Sequence, residues 1–333
     1  MTGKKLIGMA VALAVLAGIA LIQQKGARKR TPAVNREATL FQGLELNTVD
    51  GVDIFQGSQT GSAVSSVSLQ KKDGVWVVDS LYDYPADFNK LADALRAASD
   101  LKIGLPVRAS NVDAAEYGFD EPKTVALKSG GKEVVKVDIG AQRAASDAAG
   151  WANQHFVRKD GSDSIYLVDY DFRPFATDSS SWIDKEMLNI SSPDIVSVKT
   201  ADAELKEDAG VWTLVGLNQE TEELQVSEAN KLRSALQYLN CTSVADPAES
   251  DADLGFADPV VYIASTTNKT ITVKVGGEAD GGRYVRLEGD VPEKLNGWTY
   301  VVSSYKADSF LVTRDKLVKA KEDEPSEDEL AQQ

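Results

Sequence analysis

Apolar and polar side chains alternate in three short runs, Val52–Gln56, Ser66–Lys71 and Val75–Asp79, the period-two pattern of half-buried strands. Asp73-Gly74 marks a turn between the last two. The period then changes: Phe88, Leu91, Leu95 and Ala98 fall on one face of a helix, with Asp87 placed to cap its first turn. An extended stretch over 102–108 leads to Tyr117-Gly118-Phe119-Asp120-Glu121-Pro122. Its glycine permits positive φ and its proline forces extended geometry on its predecessor, so this element is expected to turn the chain into the next strand. Thr124–Lys128 and Glu133–Ile139 read as a hairpin through Ser129-Gly130-Gly131, followed by strands at His155–Arg158 and Ser164–Tyr170.

The same order then recurs. Gly74-Val75-Trp76 returns as Gly210-Val211-Trp212, and the Gly-Phe-x-x-Pro element returns at Leu254-Gly255-Phe256-Ala257-Asp258-Pro259. Val137-Asp138-Ile139-Gly140 corresponds to Val273-Lys274-Val275-Gly276, and Phe156-Val157-Arg158 to Tyr284-Val285-Arg286. Tyr166-Leu167-Val168 corresponds to Tyr300-Val301-Val302. Matches in one order at nearly constant spacing indicate an internal repeat, with units at 40–180 and 181–318. In the second unit the expected strands are Ile195–Thr200, Ala203–Glu207, Val211–Val215, Val260–Ser265, Thr270–Val275, Arg283–Leu287 and Thr299–Ser303. The expected helix carries Leu232, Leu236 and Leu239 behind Ser227. The fold class is therefore α+β: two tandem copies of a mostly antiparallel sheet unit, each with one main packed helix.

Leu6–Ile22 is uncharged and almost wholly apolar, and at about 1.5 Å per residue it makes roughly 25 Å of helix, near the thickness of a bilayer core. Residues 1–30 read as a membrane anchor with basic flanks, a cleaved secretory signal being the alternative, and 31–39 as a linker. The flanking charges are Lys4 and Lys5 on one side and Lys25, Arg28, Lys29 and Arg30 on the other, a slight bias toward a cytoplasmic body. Residues 319–333 read as an acidic, disordered tail. The chain of 333 residues has 36 Lys and Arg against 51 Asp and Glu, a net charge of −15 that disfavours a nucleic-acid partner. One cysteine, Cys241, excludes an internal disulfide framework, and one histidine, His155, removes most zinc geometries.

No phosphate-binding loop, dinucleotide fingerprint or nucleophile elbow is present, so no catalytic residue, metal site or cofactor is expected. Glu249, Asp251 and Asp253 lack the spacing of a calcium loop. His155 opens a strand and reads as an edge residue, and Cys241 reads as a buried small side chain. Trp76 and Trp212 recur at equivalent strand positions, which favours core over an aromatic platform. Three residues are candidates for interaction. Arg158 and Arg286 are charges kept in both units, suited to a structural salt bridge or to the groove between units, and Trp182 lies at the joint and is expected to pack the units together.

These motifs together resemble the bacterial domain of unknown function 4340 family. They are a tryptophan after a glycine turn, the helix behind Pro85-Ala86-Asp87, the Gly-Phe-x-x-Pro element, a strand ending in Ile-Gly or Val-Gly, and a Tyr-Val-Arg-like strand. Leu40-Phe41-Gln42-Gly43-Leu44 is similar to the family's entry into its first strand. The resemblance implies an N-terminal membrane-spanning helix, a body outside the cytoplasmic membrane, and the company of ABC-transporter subunits of the gliding-motility type. It thus favours a periplasmic body on a single-pass inner-membrane anchor, against the flanking charges. The resulting expectation is a non-enzymatic accessory protein whose partners are transporter membrane subunits. The alternative is a periplasmic module binding glycan, peptide or another envelope polymer in the groove between the repeats.

Overall fold

The computed structural model describes residues 39–41, 44–57, 63–103, 106–107, 114–143, 153–159, 162 and 164–321. The expected span Leu6–Ile22, nearly all of the linker and the tail from Glu322 lie outside them. Among the described residues no helix is long and apolar enough to cross a membrane.

Two large sheets, antiparallel throughout, dominate the chain. The first holds β1 (Gly51–Gly57), β2 (Ala63–Lys72), β3 (Val75–Val78), β4 (Tyr84–Pro85), β5 (Pro106–Val107), β6 (Lys123–Ser129), β7 (Lys132–Gln142), β8 (Gln154–Lys159) and β9 (Ile165–Asp169). Its spatial order is β4-β3-β2-β1-β6-β7-β8-β9-β5. After β10 (Glu186–Leu188) come β11 (Ile195–Lys199), β12 (Glu204–Asp208), β13 (Val211–Leu214), β14 (Glu222–Leu224), β15 (Leu239–Asn240) and β16 (Ser243–Val244). The chain continues through β17 (Val260–Thr266), β18 (Thr270–Ala279), β19 (Gly282–Gly289), β20 (Tyr300–Ser303) and β21 (Val318–Ala320). The second sheet runs β13-β12-β11-β17-β18-β19-β20-β16, while β10 pairs with β15 and β14 with β21. With few helices, the class is α+β and predominantly antiparallel sheet.

The first helix, α1 (Phe88–Ser99), forms where expected, and Asp87 accepts a bond from the Lys90 backbone N–H at 3.0 Å. Its buried face is Leu91, Ala94, Leu95 and Ala98; Phe88, expected in that face, is 59% exposed. The second helix departs from expectation. α2 (Val226–Arg233) is eight residues long and starts behind Gln225, not Ser227. Leu232 lies in it, but Leu236 follows it and Leu239 belongs to β15, because Tyr238 takes φ +51° and turns the chain into that strand. All three leucines are still core, each at most 1% exposed. Two single turns, α3 (Ser304–Ala307) and α4 (Arg314–Leu317), close the second part.

The Gly-Phe turn and the strand glycine following it are one device. Gly118 and Gly255 both have φ +74°, and the turn lies against Gly140 of β7 or Gly276 of β18. A Cβ on Gly276 would come within 2.5 Å of the Leu254 carbonyl oxygen, and one on Gly140 would collide with that of Tyr117. This close approach explains the pairing of the two motifs along the chain.

One hydrophobic core runs under both sheets, and Trp182, fully buried, belongs to it. Its indole N–H donates to the Ala176 carbonyl at 2.8 Å, its carbonyl accepts from Asp87 N–H at 2.7 Å, and Ile183 bridges to Ala86. Tyr84 of the first sheet meets Trp298 edge-on at 4.8 Å and Tyr300 at 6.2 Å. Lys294 and Asp184 add an ion pair at 2.7 Å.

Candidate functional site

Arg158 and Arg286 stand at matching places and do matching things. Arg158, on β8, lies over the Phe119 ring at 4.8 Å, and Arg286, on β19, lies over Phe256 at 4.0 Å. Both rings belong to the Gly-Phe turns, so each cation caps the turn its own sheet supports. The ion partners differ. Arg158 donates to Asp138 at 2.8 Å from the neighbouring strand, and Asp138 also accepts from the buried Thr124 hydroxyl at 2.8 Å. Across from Arg286 stands Lys274, so Arg286 turns to Asp251 at 2.7 Å and to the Thr299 hydroxyl at 2.7 Å. Trp182, the third candidate, is fully buried against the first helix, with Lys90 5.3 Å over its ring. The structure does not bring the three candidates together.

A cleft of about 290 Å³ opens beside Arg286, lined by Asp246, Glu249, Leu254, Trp298 and Thr299 among others. Trp298 is half-buried and braced by Tyr84. Near the cleft the first part of the chain contributes Tyr82, 45% exposed. Tyr82 and Asp83 take φ +57° and +62°, a left-handed pair unusual without glycine or asparagine, which Lys72 holds through an ion pair to Asp83 at 2.6 Å. Burial first, and then the charges of Asp246 and Glu249 and the nearby Tyr284, push the Tyr82 phenol above its ordinary value. The cleft thus offers aromatic surface, carboxylate acceptors and one guanidinium, a set able to stack a ring or pyranose face and accept hydroxyl or amine hydrogens.

Sequence reasoning passed over Tyr82, Asp246 and Trp298. A usable signal existed for Trp298: aligned through Tyr166 and Tyr300, Ser164 stands at the matching position of the first sheet, so this tryptophan is not among the residues the two sheets share.

The reactive residues lie elsewhere. Cys241 is 2% exposed, and burial pushes its thiol up to about 11, leaving no thiolate near neutrality. His155 holds its Nδ1 2.9 Å from the Tyr170 carbonyl oxygen and meets Phe172 edge-on at 5.6 Å. It borders a second cleft, of about 350 Å³, with Lys123, Asp171 and Arg173. Asp171 is lowered chiefly by the bond it accepts from the Arg173 N–H, and Lys123 is lowered by burial. Of the acids weighed as calcium ligands, Asp251 is bound by Arg286, while Asp253 accepts from the Ser250 hydroxyl at 2.6 Å. Among the described residues no three His, Cys, Asp or Glu side chains group as a metal site.

The profile of the family described as Domain of unknown function (DUF4340) matches residues 76–259. No curated protein and no solved structure matches the chain.

Proposed function

The chain belongs to the domain of unknown function 4340 family, and from that premise we propose that it is a membrane-anchored, non-enzymatic accessory protein of a bacterial ABC-type transport complex. In this reading Leu6–Ile22 is a single inner-membrane pass, and the body is periplasmic and built from two copies of one unit. The duplication is supported by two sheets of parallel winding, each with a Gly-Phe turn seated on a strand glycine and capped by an arginine. The observation that carries the scaffold reading is where the candidate polar groups go: Arg158 and Arg286 are taken up holding turns, while the single cysteine Cys241 and single histidine His155 are engaged within the fold.

The test is crosslinking in intact cells, purification through a C-terminal tag in mild detergent, and mass spectrometry of the associated chains. Transporter membrane and ATPase subunits in fixed ratio are the expected result; a chain that arrives alone refutes the assignment. Protease added to spheroplasts should digest the body, and protection would reverse its side of the membrane.

A second reading is favoured by one observation, the half-buried Trp298 beside Asp246 and Glu249 with Tyr82 at hand. This is the arrangement a glycan- or peptide-binding module would place between its units. Titration with soluble cell-wall glycan fragments should then quench tryptophan fluorescence, and Trp298→Ala should abolish the change. An unchanged signal on titration removes this reading.

A further inference from the structure

The two sheets differ at one edge. Asp73-Gly74 and Ala209-Gly210 turn their hairpins with the same paired positive φ values, so β3 and β13 leave them in the same phase. In the first sheet β4 covers β3: Val78 pairs with Tyr84, and Ala86 N–H donates to the Trp76 carbonyl at 2.8 Å. In the second sheet the corresponding segment, β14, is drawn away to pair with β21, and β13 remains the edge. Val215 N–H donates to Glu204, which fixes the alternation: Val211, Thr213 and Val215 bond inward to β12, while Trp212 directs its N–H and carbonyl to the open side. Val211 is 61% and Val215 48% exposed.

A cation waits at that edge. The Arg233 guanidinium lies 4.4 Å over the Trp212 ring. It donates to Asn230 at 3.1 Å, its Nε is buried without a partner, and among the described residues no carboxylate pairs with it. Glu207, across the ladder from Trp212, is turned to the Gly210 N–H. Counted from the helix starts, the matching residue of the first helix is Leu95, buried under an edge that β4 already fills.

We infer that β13 is a docking edge that takes an extended, acidic strand from a partner protein, with a carboxylate of that strand pairing Arg233. The first sheet supplies the template for the strand, since Tyr84–Ala86 fills the same place there, and Arg233 supplies the charge preference. Pairing of β13 with a second copy of the chain is disfavoured, because a two-fold axis would bring two Arg233 side chains to one seam. The inference rests on the two units being related; it does not require the partner to be a transporter.

The test is amide hydrogen exchange on the purified full-length chain, with an eight-residue peptide of alternating valine and glutamate as probe and its lysine counterpart as control. The acidic peptide should slow exchange at Trp212 and Leu214, and Arg233→Glu should weaken its binding about tenfold while improving that of the basic peptide. Arg233→Gln, which keeps a polar side chain over Trp212, should lose the preference between the peptides. Equal effects of the two peptides, no change at Trp212, or protection confined to the Trp298 cleft would overturn the inference. So would a Trp212 amide already protected without peptide, since the chain itself would then fill the edge. Loss of transporter copurification with peptide binding intact would sink the transporter reading alone.

Discussion

Replacing Gly276 by alanine isolates the contact that joins the Gly-Phe turn to its strand. The new Cβ would lie 2.5 Å from the Leu254 carbonyl oxygen, closer than real Cβ atoms come, and a tight 3.0 Å from the Phe256 ring. Neither neighbour moves freely. The Leu254 carbonyl accepts the Gly277 N–H at 2.9 Å, and the Phe256 ring carries Arg286. On its N-terminal side the strand is fixed, because Val275 pairs with both β17 and β19, while Gly276 itself sits in the irregularity between Val275 and Glu278. Gly276 does not occupy the left-handed region, so the cost is contact and not backbone strain. Overpacking of this kind costs about 1–3 kcal/mol, and alanine's smaller unfolded-state freedom returns about 0.4–1 kcal/mol. The expected net loss of roughly 1–2 kcal/mol corresponds to a fall of about 0.5–1 M in the urea midpoint if the slope is near 2 kcal/mol/M. Gly57→Ala is the control, since nothing lies within 4 Å of its Cβ position. Both variants would be followed by tryptophan fluorescence during urea unfolding. If Gly276→Ala unfolds at the same midpoint as Gly57→Ala, the reading of the turn and glycine as one packed device is wrong.

Other outcomes follow from single groups. The Cys241 thiol, raised from 9.0 to about 11 by burial, contributes stability that is fully present below pH 9 and lost as pH rises through about 11. At 1.36 kcal/mol per pH unit, the wild-type chain should lose about 3 kcal/mol more over that range than Cys241→Ala, measured as unfolding free energy against pH. Asp87→Ala removes the cap of α1 and should cost about 0.5–2 kcal/mol, read from the thermal midpoint. Trp182→Ala should cost about 3–5 kcal/mol, whereas Trp182→Phe, which keeps most of the volume and loses the bond to Ala176, should cost about 1 kcal/mol by the same assay. A double-mutant cycle on the half-exposed Arg286–Asp251 pair should give a coupling of at most about 1 kcal/mol in urea unfolding.

Many strands were legible from alternation: Val52 and Ile54 are buried with the half-buried Asp53 between them, and Leu214 is buried between the exposed Thr213 and Val215. The first helix was legible from its own period, a buried stripe of Leu91, Ala94, Leu95 and Ala98 along twelve residues behind a capping aspartate. The second was not, because Leu232, Leu236 and Leu239 keep helical spacing through a segment that leaves the helix after Arg233. Burial alone cannot separate a helix from a turn and strand that bury the same side chains. Tyr238, with positive φ and no glycine to announce it, is what breaks the run. The small pairs β10–β15 and β14–β21 were equally hidden, being two or three residues long and fixed by distant partners.

The same logic separates structural from functional residues. The glycines, the Gly-Phe turns and Arg158 with Arg286, which occupy matching places in the two sheets, hold each sheet to its own turn. What is present once has no such duty in common. Trp298 stands where the first sheet has Ser164, Arg233 where the first helix has the buried Leu95, and the Tyr82–Asp83 turn has no counterpart among the left-handed residues of the second part. Each costs something locally: an aromatic face left half in water, a buried Nε without an acceptor, two left-handed side-chain-bearing residues in succession. Local strain or exposure at a residue without a matching counterpart is the kind of feature from which a contact with a ligand or partner strand is proposed. Arg233 therefore ranks above Arg286 as a point of contact: Arg286 already has its carboxylate in Asp251, and Arg233 has none among the described residues.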